Sequence, residues 1–118
     1  MNGNAELSNK LDQMVLQGQA LEGFDEFYAD EVSMQENSDP PFLGKELNRK
    51  REEEFFASVQ EIHNFARLST ATEGDLSFSE WDMDVTLKNG FRMKASQVSV
   101  RRWRDGKIVS ERFYYQKG

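Results

Sequence analysis

The 118-residue chain contains no cysteine. That absence excludes disulfides, thiol nucleophiles and thiolate metal sites together. Histidine occurs once, as His63, so a transition-metal centre would need an all-carboxylate ligand set, and no metal site is expected. The two prolines stand side by side as Pro40-Pro41, which marks one loop and leaves the rest of the chain free of proline breaks. No apolar run approaches membrane-spanning length, and the opening residues MNGNAELSNK lack the apolar core of a secretion signal. A cytoplasmic protein without membrane contact is expected. Positive charge is also scarce: 15 Lys and Arg against 21 Asp and Glu leave a formal charge of −6, which argues against nucleic acid as a partner.

What the chain does have is aromatic bulk: nine Phe, three Tyr and two Trp, in a length that suits one domain over 1–118. Its organising stretch is FRMKASQVSVRRWRDGKIVSERFYY, from Phe91 to Tyr115. Asp105-Gly106 between two β-rich runs is a hairpin signal, because a type I′ turn needs φ > 0 at both central residues. A two-residue loop there puts Trp103 opposite Ile108, Val100 opposite Glu111, Val98 opposite Phe113 and Ser96 opposite Tyr115. Asn89-Gly90, treated the same way, puts Trp81 opposite Val98, Met83 opposite Ser96 and Ser79 opposite Val100. Alternation then assigns Trp81, Met83, Val98, Val100, Phe113 and Tyr115 to a covered apolar face. Gln97, Arg101, Trp103, Arg112 and Tyr114 fall on the opposite face, where an exposed aromatic patch with mixed charges suits an interface. Ser79, Arg102 and Glu111 are polar exceptions on the apolar face; Arg102 and Glu111 are diagonal neighbours, so they form either a rim salt bridge or a polar anchor in a pocket.

Upstream, Leu7, Leu11, Met14 and Val15 predict a helix over 5–17, ended by Gly18. A short helix follows over 20–28, with Leu21, Phe24, Phe27 and Tyr28 on one side and Gly23 as a weak point. VSMQEN, 32–37, alternates as a strand and turns Val32, Met34 and Glu36 inward. The longest predicted helix covers 45–62, with Leu47, Phe55, Val59 and Ile62 as its buried stripe and KELNRKREEE as a solvated face. Strands are expected at 64–73, 75–88, 91–104 and 107–116. Helices first and an antiparallel meander afterwards give an α+β fold.

The helix pair ending in FYADEVSMQEN, the proline loop leading into GKE, and the terminal RWRDGKIVSERFYY together resemble the SnoaL-like branch of the nuclear transport factor two-like superfamily, whose relatives include ketosteroid isomerases and polyketide cyclases. The resemblance implies a cone-like curved sheet, mixed or antiparallel, with three N-terminal-half helices on its concave face. It also implies an internal pocket and a homodimer formed through the sheet. Carried over residue by residue, it places the isomerase general base at Glu36; the positions of the two oxyanion donors fall at about Asp12 and at Val98 or Ser99, residues that do not match the family's donors, so ketosteroid isomerisation by the known arrangement is not expected. For the cyclase acid on a late strand, Glu111 is the inward carboxylate.

The residues and the resemblance together nominate Glu36, Arg102 and Glu111 as catalytic candidates. Tyr28, Met34, Phe55, Val59, Ser79, Trp81, Met83, Val98, Val100, Phe113 and Tyr115 are candidates for a pocket wall. Arg102, Tyr115 or Ser79 would steady an enolate oxygen. The leading expectation is a pocket for an unidentified small apolar molecule, without a cofactor. The alternatives are a cofactor-independent isomerase or cyclase with a carboxylate base, and a dimerisation module. His63 reads as a helix-end residue that complements the dipole.

Overall fold

The type I′ hairpin forms as its dipeptide dictates: Asp105 and Gly106 take φ of 51° and 78°. The structure, a computed structural model, describes residues 3–116. Its elements are α1 (Gly3–Leu16), α2 (Ala20–Phe27), β1 (Tyr28–Glu36), β2 (Phe42–Leu43), α3 (Lys45–Ser58), β3 (Val59–Glu73), β4 (Leu76–Leu87), β5 (Arg92–Arg104) and β6 (Lys107–Tyr115). The strands form one curved, unclosed mixed sheet in the order β2-β1-β6-β5-β4-β3. Only the β1–β6 pair is parallel; the other pairs are antiparallel. The three helices pack on its concave side, which gives the cone-like α+β architecture.

The core lies where α1 and α2 meet β1, β5 and β6. Leu11, Phe24, Phe27, Tyr28, Val32, Met34, Trp103 and Ile108 bury one another there. Phe24 stacks on Tyr28 at 4.4 Å between ring centroids, and Phe27 meets Trp103 edge-on at 6.1 Å. No helix among the described residues is long and apolar enough to cross a membrane.

Gly23, a weak point by propensity, is where α2 touches α1. A Cβ built there would stand 2.6 Å from Leu11 Cδ1, and Leu11 is itself buried in the core. Gly23→Ala should therefore lower stability by about 1 kcal/mol, because overpacking outweighs the gain in helix propensity. Urea unfolding would show the sign.

Two local features correct the expected register. The Asn89-Gly90 loop holds three residues, not two: Leu87 N–H donates to Phe91 C=O at 2.8 Å, Gly90 takes φ 89°, and Trp81 pairs with Gln97 instead of Val98. A β-bulge then inserts Val109, so Trp103 faces Ile108 while Arg102 faces Ser110 and Arg101 faces Glu111. The first shift turns β5 over relative to β4, and the second turns β6 back. Only β5 changes face. Val98, Val100 and Arg102 look outward; Gln97, Arg101 and Trp103 look into the cone.

The third helix also stops early. Val59 begins β3 and pairs with Leu87, and Ile62 pairs with Val85. β-branched side chains fit that pleated surface better than a helix end. Leu47 and Ile62, expected in the buried stripe, are exposed. His63 sits on β3 instead of a helix end, with its ring nitrogen 2.7 Å from Thr86 Oγ1.

Candidate active site

Turning β5 over brings a charged side chain into the cone. Arg101 is 4% exposed and meets carboxylates from two elements: its Nε donates to Glu111 Oε2 at 2.9 Å, and its Nη1 to Asp12 Oδ1 at 2.6 Å. The second Asp12 oxygen accepts from Ser79 Oγ at 2.6 Å and from Arg67 Nη1 at 3.2 Å. The second Glu111 oxygen accepts a short hydrogen bond from the Tyr28 hydroxyl. Ser8 on α1 adds a bond to Ser77, whose hydroxyl also accepts from Trp103 Nε1. Among the described residues, no buried side-chain nitrogen or oxygen lacks a partner. Burial alone would weaken the Arg101 charge, but Glu111, Tyr28 and Asp12 hold its pKa above the ordinary guanidinium value. Burial first, and the Glu111 charge second, push the Tyr28 hydroxyl well above its usual range. This network is closed on itself.

The open chemistry lies on α3. Its inward stripe is Asn48, Glu52 and Phe55, at i, i+4 and i+7. Asn48 is fully buried, because its amide donates to Phe42 C=O and Gly44 C=O at 3.0 and 2.8 Å and its oxygen accepts from Arg51 at 2.9 Å. Glu52, half-buried, makes no hydrogen bond or ion pair among the described residues. Desolvation first, and the neighbouring Glu111 charge second, raise its pKa to about 7. Glu36 lies nearby with both oxygens engaged: Arg51 Nη2 donates at 2.7 Å and the Tyr115 hydroxyl donates to the other oxygen. Arg51 stacks 3.6 Å above the Phe42 ring. Desolvation and the hydrogen bond to Glu36 raise the Tyr115 hydroxyl to about 12.

The structure therefore buries Glu111, Tyr28 and Ser79, and leaves Glu36 and Tyr115 half-buried on the same face. It also packs Met34 and Trp81 there as buried side chains, with Phe55, Val59, Met83 and Phe113 half-buried. Arg102 does not join them. It points outward and pairs with Asp75 at 2.9 Å, so the expected Arg102–Glu111 pair is replaced by Arg101–Glu111. Arg101 and Trp103, placed by sequence on an interface, are buried on the helix side, with Gln97 on the same face. Val98 and Val100 leave the pocket wall for the outer face. There Val100, Arg102, Arg112 and Tyr114 line a shallow cavity of about 190 Å³. A second shallow cavity of about 300 Å³ opens beside Asp82, Asp84, Lys94 and Ser96. Glu52 and Asn48 were missed because hydrophobic pattern alone selected Leu47, Phe55, Val59 and Ile62. The available signal was helical spacing: Asn48 and Glu52 continue the Phe55 stripe toward the N-terminus.

Comparison with known proteins agrees with this fold. A family model for SnoaL-like domains matches residues 2–115. A proposed SnoaL-like polyketide cyclase of Mesorhizobium loti superposes with a TM-score of 0.86 at 25% identity, over 98% of this chain and 100% of that one. A proposed isomerase of Bacillus subtilis gives 0.76 at 19% identity, over 98% and 90%. An epoxide hydrolase-like protein of M. tuberculosis gives 0.77 at 14% identity, over 97% and 84%. A sequence comparison with curated proteins finds no match.

Proposed function

The chain belongs to the SnoaL-like domain family, and we propose that it is a cofactor-independent acid–base enzyme of the isomerase or cyclase type, with Glu52 moving the proton. One observation carries the reading. Among the described residues, four carboxylates turn inward, and Asp12, Glu36 and Glu111 each have both oxygens engaged by Arg, Tyr or Ser donors; Glu52 is the one of the four left open. A base must reach its substrate's proton, and a carboxylate already held by an arginine and a tyrosine is a poor candidate. Glu36 thus changes role. It pairs with Arg51, one of the two cations whose charge reaches Glu52. The polar interior favours this reading over a purely apolar ligand pocket, since the apolar side chains between α1, α2 and the sheet are spent on the core.

The test is proton exchange. The protein is incubated with a panel of small ketones and enones in D₂O, and loss of the α-proton NMR signal is followed. For any compound that exchanges, Glu52→Gln should lower the rate by about 10²- to 10⁴-fold, as removal of a general base does. The rate should rise with pH through about 7, as the Glu52 carboxylate forms. Equal rates in wild type and Glu52→Gln would end the proposal.

We also propose that two copies pair through the outer face of the sheet. Tyr114 is 43% exposed there, with Arg112 stacked 4.7 Å from its ring, and Val98 and Val100 lie alongside. Sedimentation should show a dimer, and Tyr114→Glu should shift it toward monomer by placing like charges on the two-fold contact. A monomeric wild type would refute the pairing.

A further inference from the structure

With Glu52 ionised, the inward-facing charges of the described residues do not balance, and the imbalance lies at the open group. Asp12, Glu36, Glu52 and Glu111 face inward against Arg51, Arg67 and Arg101. Every guanidinium is already charge-paired: Arg51 with Glu36, Arg67 with Asp12, and Arg101 with Asp12 and Glu111. Both interior tyrosine hydroxyls donate to carboxylates. Among the described residues, no inner cation is therefore left without a carboxylate to receive an anionic ligand, and one acid is left over. A carboxylate or phosphate ester brought beside Glu52 would find no unpaired positive charge among the described residues to oppose it.

We infer that the site recognises an organic ammonium group, with Glu52 as its counter-ion. This rests on the reading of Glu52 as the open group of the site and adds the class of molecule that it holds. A cation beside Glu52 completes the pairing that the protein's own arginines leave unfinished. The aromatic residues on the same helix suit the methylated form of such a cation. Phe55 and Phe56 lie three and four positions beyond Glu52, the spacing at which helical neighbours touch, and their rings pack edge to face at 5.4 Å. The groups facing Glu52 come from three elements: Arg49 and Arg51 on its own helix, Glu36 and Tyr28 on β1, and Glu111 on β6. Of these, Arg49 is turned to Asp25 and Glu53, and Arg51 to Glu36, so neither closes a pair with Glu52.

The probe is choline, whose charge does not change with pH, beside its uncharged isostere 3,3-dimethylbutan-1-ol. Binding is measured by calorimetry on the whole chain. Because Glu52 must ionise to act as counter-ion, choline affinity should rise about tenfold between about pH 6 and about pH 8, as expected for one group titrating near 7. The alcohol should bind more weakly, with no such pH dependence, and Glu52→Gln should remove the choline preference. Equal binding of the two isosteres, pH-independent choline binding, or a Glu52→Gln variant that keeps the preference would each overturn the inference. The failures are separable from those of the enzyme reading. If Glu52-dependent α-proton exchange persists while choline shows no preference, only the ligand class is wrong.

Discussion

Arg101→Met should cost about 3 to 5 kcal/mol in unfolding free energy, the range for removing one partner from a buried ion pair. Asp12 and Glu111 would both lose their buried counter-charge, while the Tyr28 hydrogen bond to Glu111 would remain. Arg67 would keep one oxygen of Asp12 but stands too near the rim to replace Arg101 at Glu111. The neighbouring substitution Arg102→Met is the control. Arg102 and Asp75 are both about half exposed, and an exposed pair is worth about 0 to 1 kcal/mol. Denaturant unfolding of the two variants thus tests the turned-over β5 directly. With the register expected from two-residue loops at both turns, the larger loss would fall on Arg102.

Glu52→Gln should do two opposite things: slow proton exchange by about 10²- to 10⁴-fold and stabilise the fold at alkaline pH. The pKa of Glu52 is about 7 in the folded chain against 4.5 for an ordinary glutamate. The folded state therefore holds a proton that the unfolded state has lost between those two values. Its stability contribution is intact below about pH 4.5 and falls as pH rises toward 7. Above that range the folded chain carries a desolvated carboxylate, at a cost of about 2 to 3 kcal/mol. The neutral amide escapes this cost. Wild type and Glu52→Gln should unfold at similar denaturant concentrations near pH 4.5, and the variant should be the more resistant at about pH 8. Taking the difference between the two proteins cancels the groups that do not interact with Glu52. A substitution that removes activity while adding stability is what a functional, poorly solvated group is expected to give.

Much of the architecture was legible because turns and alternation carry it. Asp105-Gly106 set the terminal hairpin, and helices followed by a meander set the α+β layout. The faces were harder. Asn89-Gly90 accommodates a three-residue loop as readily as a two-residue one, and nothing in VSERFYY announces that Val109 bulges. Each is a change of one residue, and each reverses a strand's faces, so β5 was inverted although its position was right. The inversion hid the Arg101 network, since Arg101 and Arg102 are alike in sequence and only register separates a buried cation from an exposed one. Glu52 was hidden for another reason. In RKREEEFF it is one of three consecutive glutamates, and only its phase relative to Asn48 and Phe55 sets it apart from its exposed neighbours Glu53 and Glu54. Glu36 was found because strand alternation needs only a parity, and parity survived on β1.

The measurement that bears most directly on Glu52 as the proton-moving group is its own titration, followed by carboxyl carbon NMR and assigned by comparison with Glu52→Gln. The account predicts one glutamate resonance that titrates with a midpoint near 7 and vanishes in the variant. A Glu52 midpoint at the ordinary 4.5 would contradict it, and with it the assignment of the acid–base role to this residue.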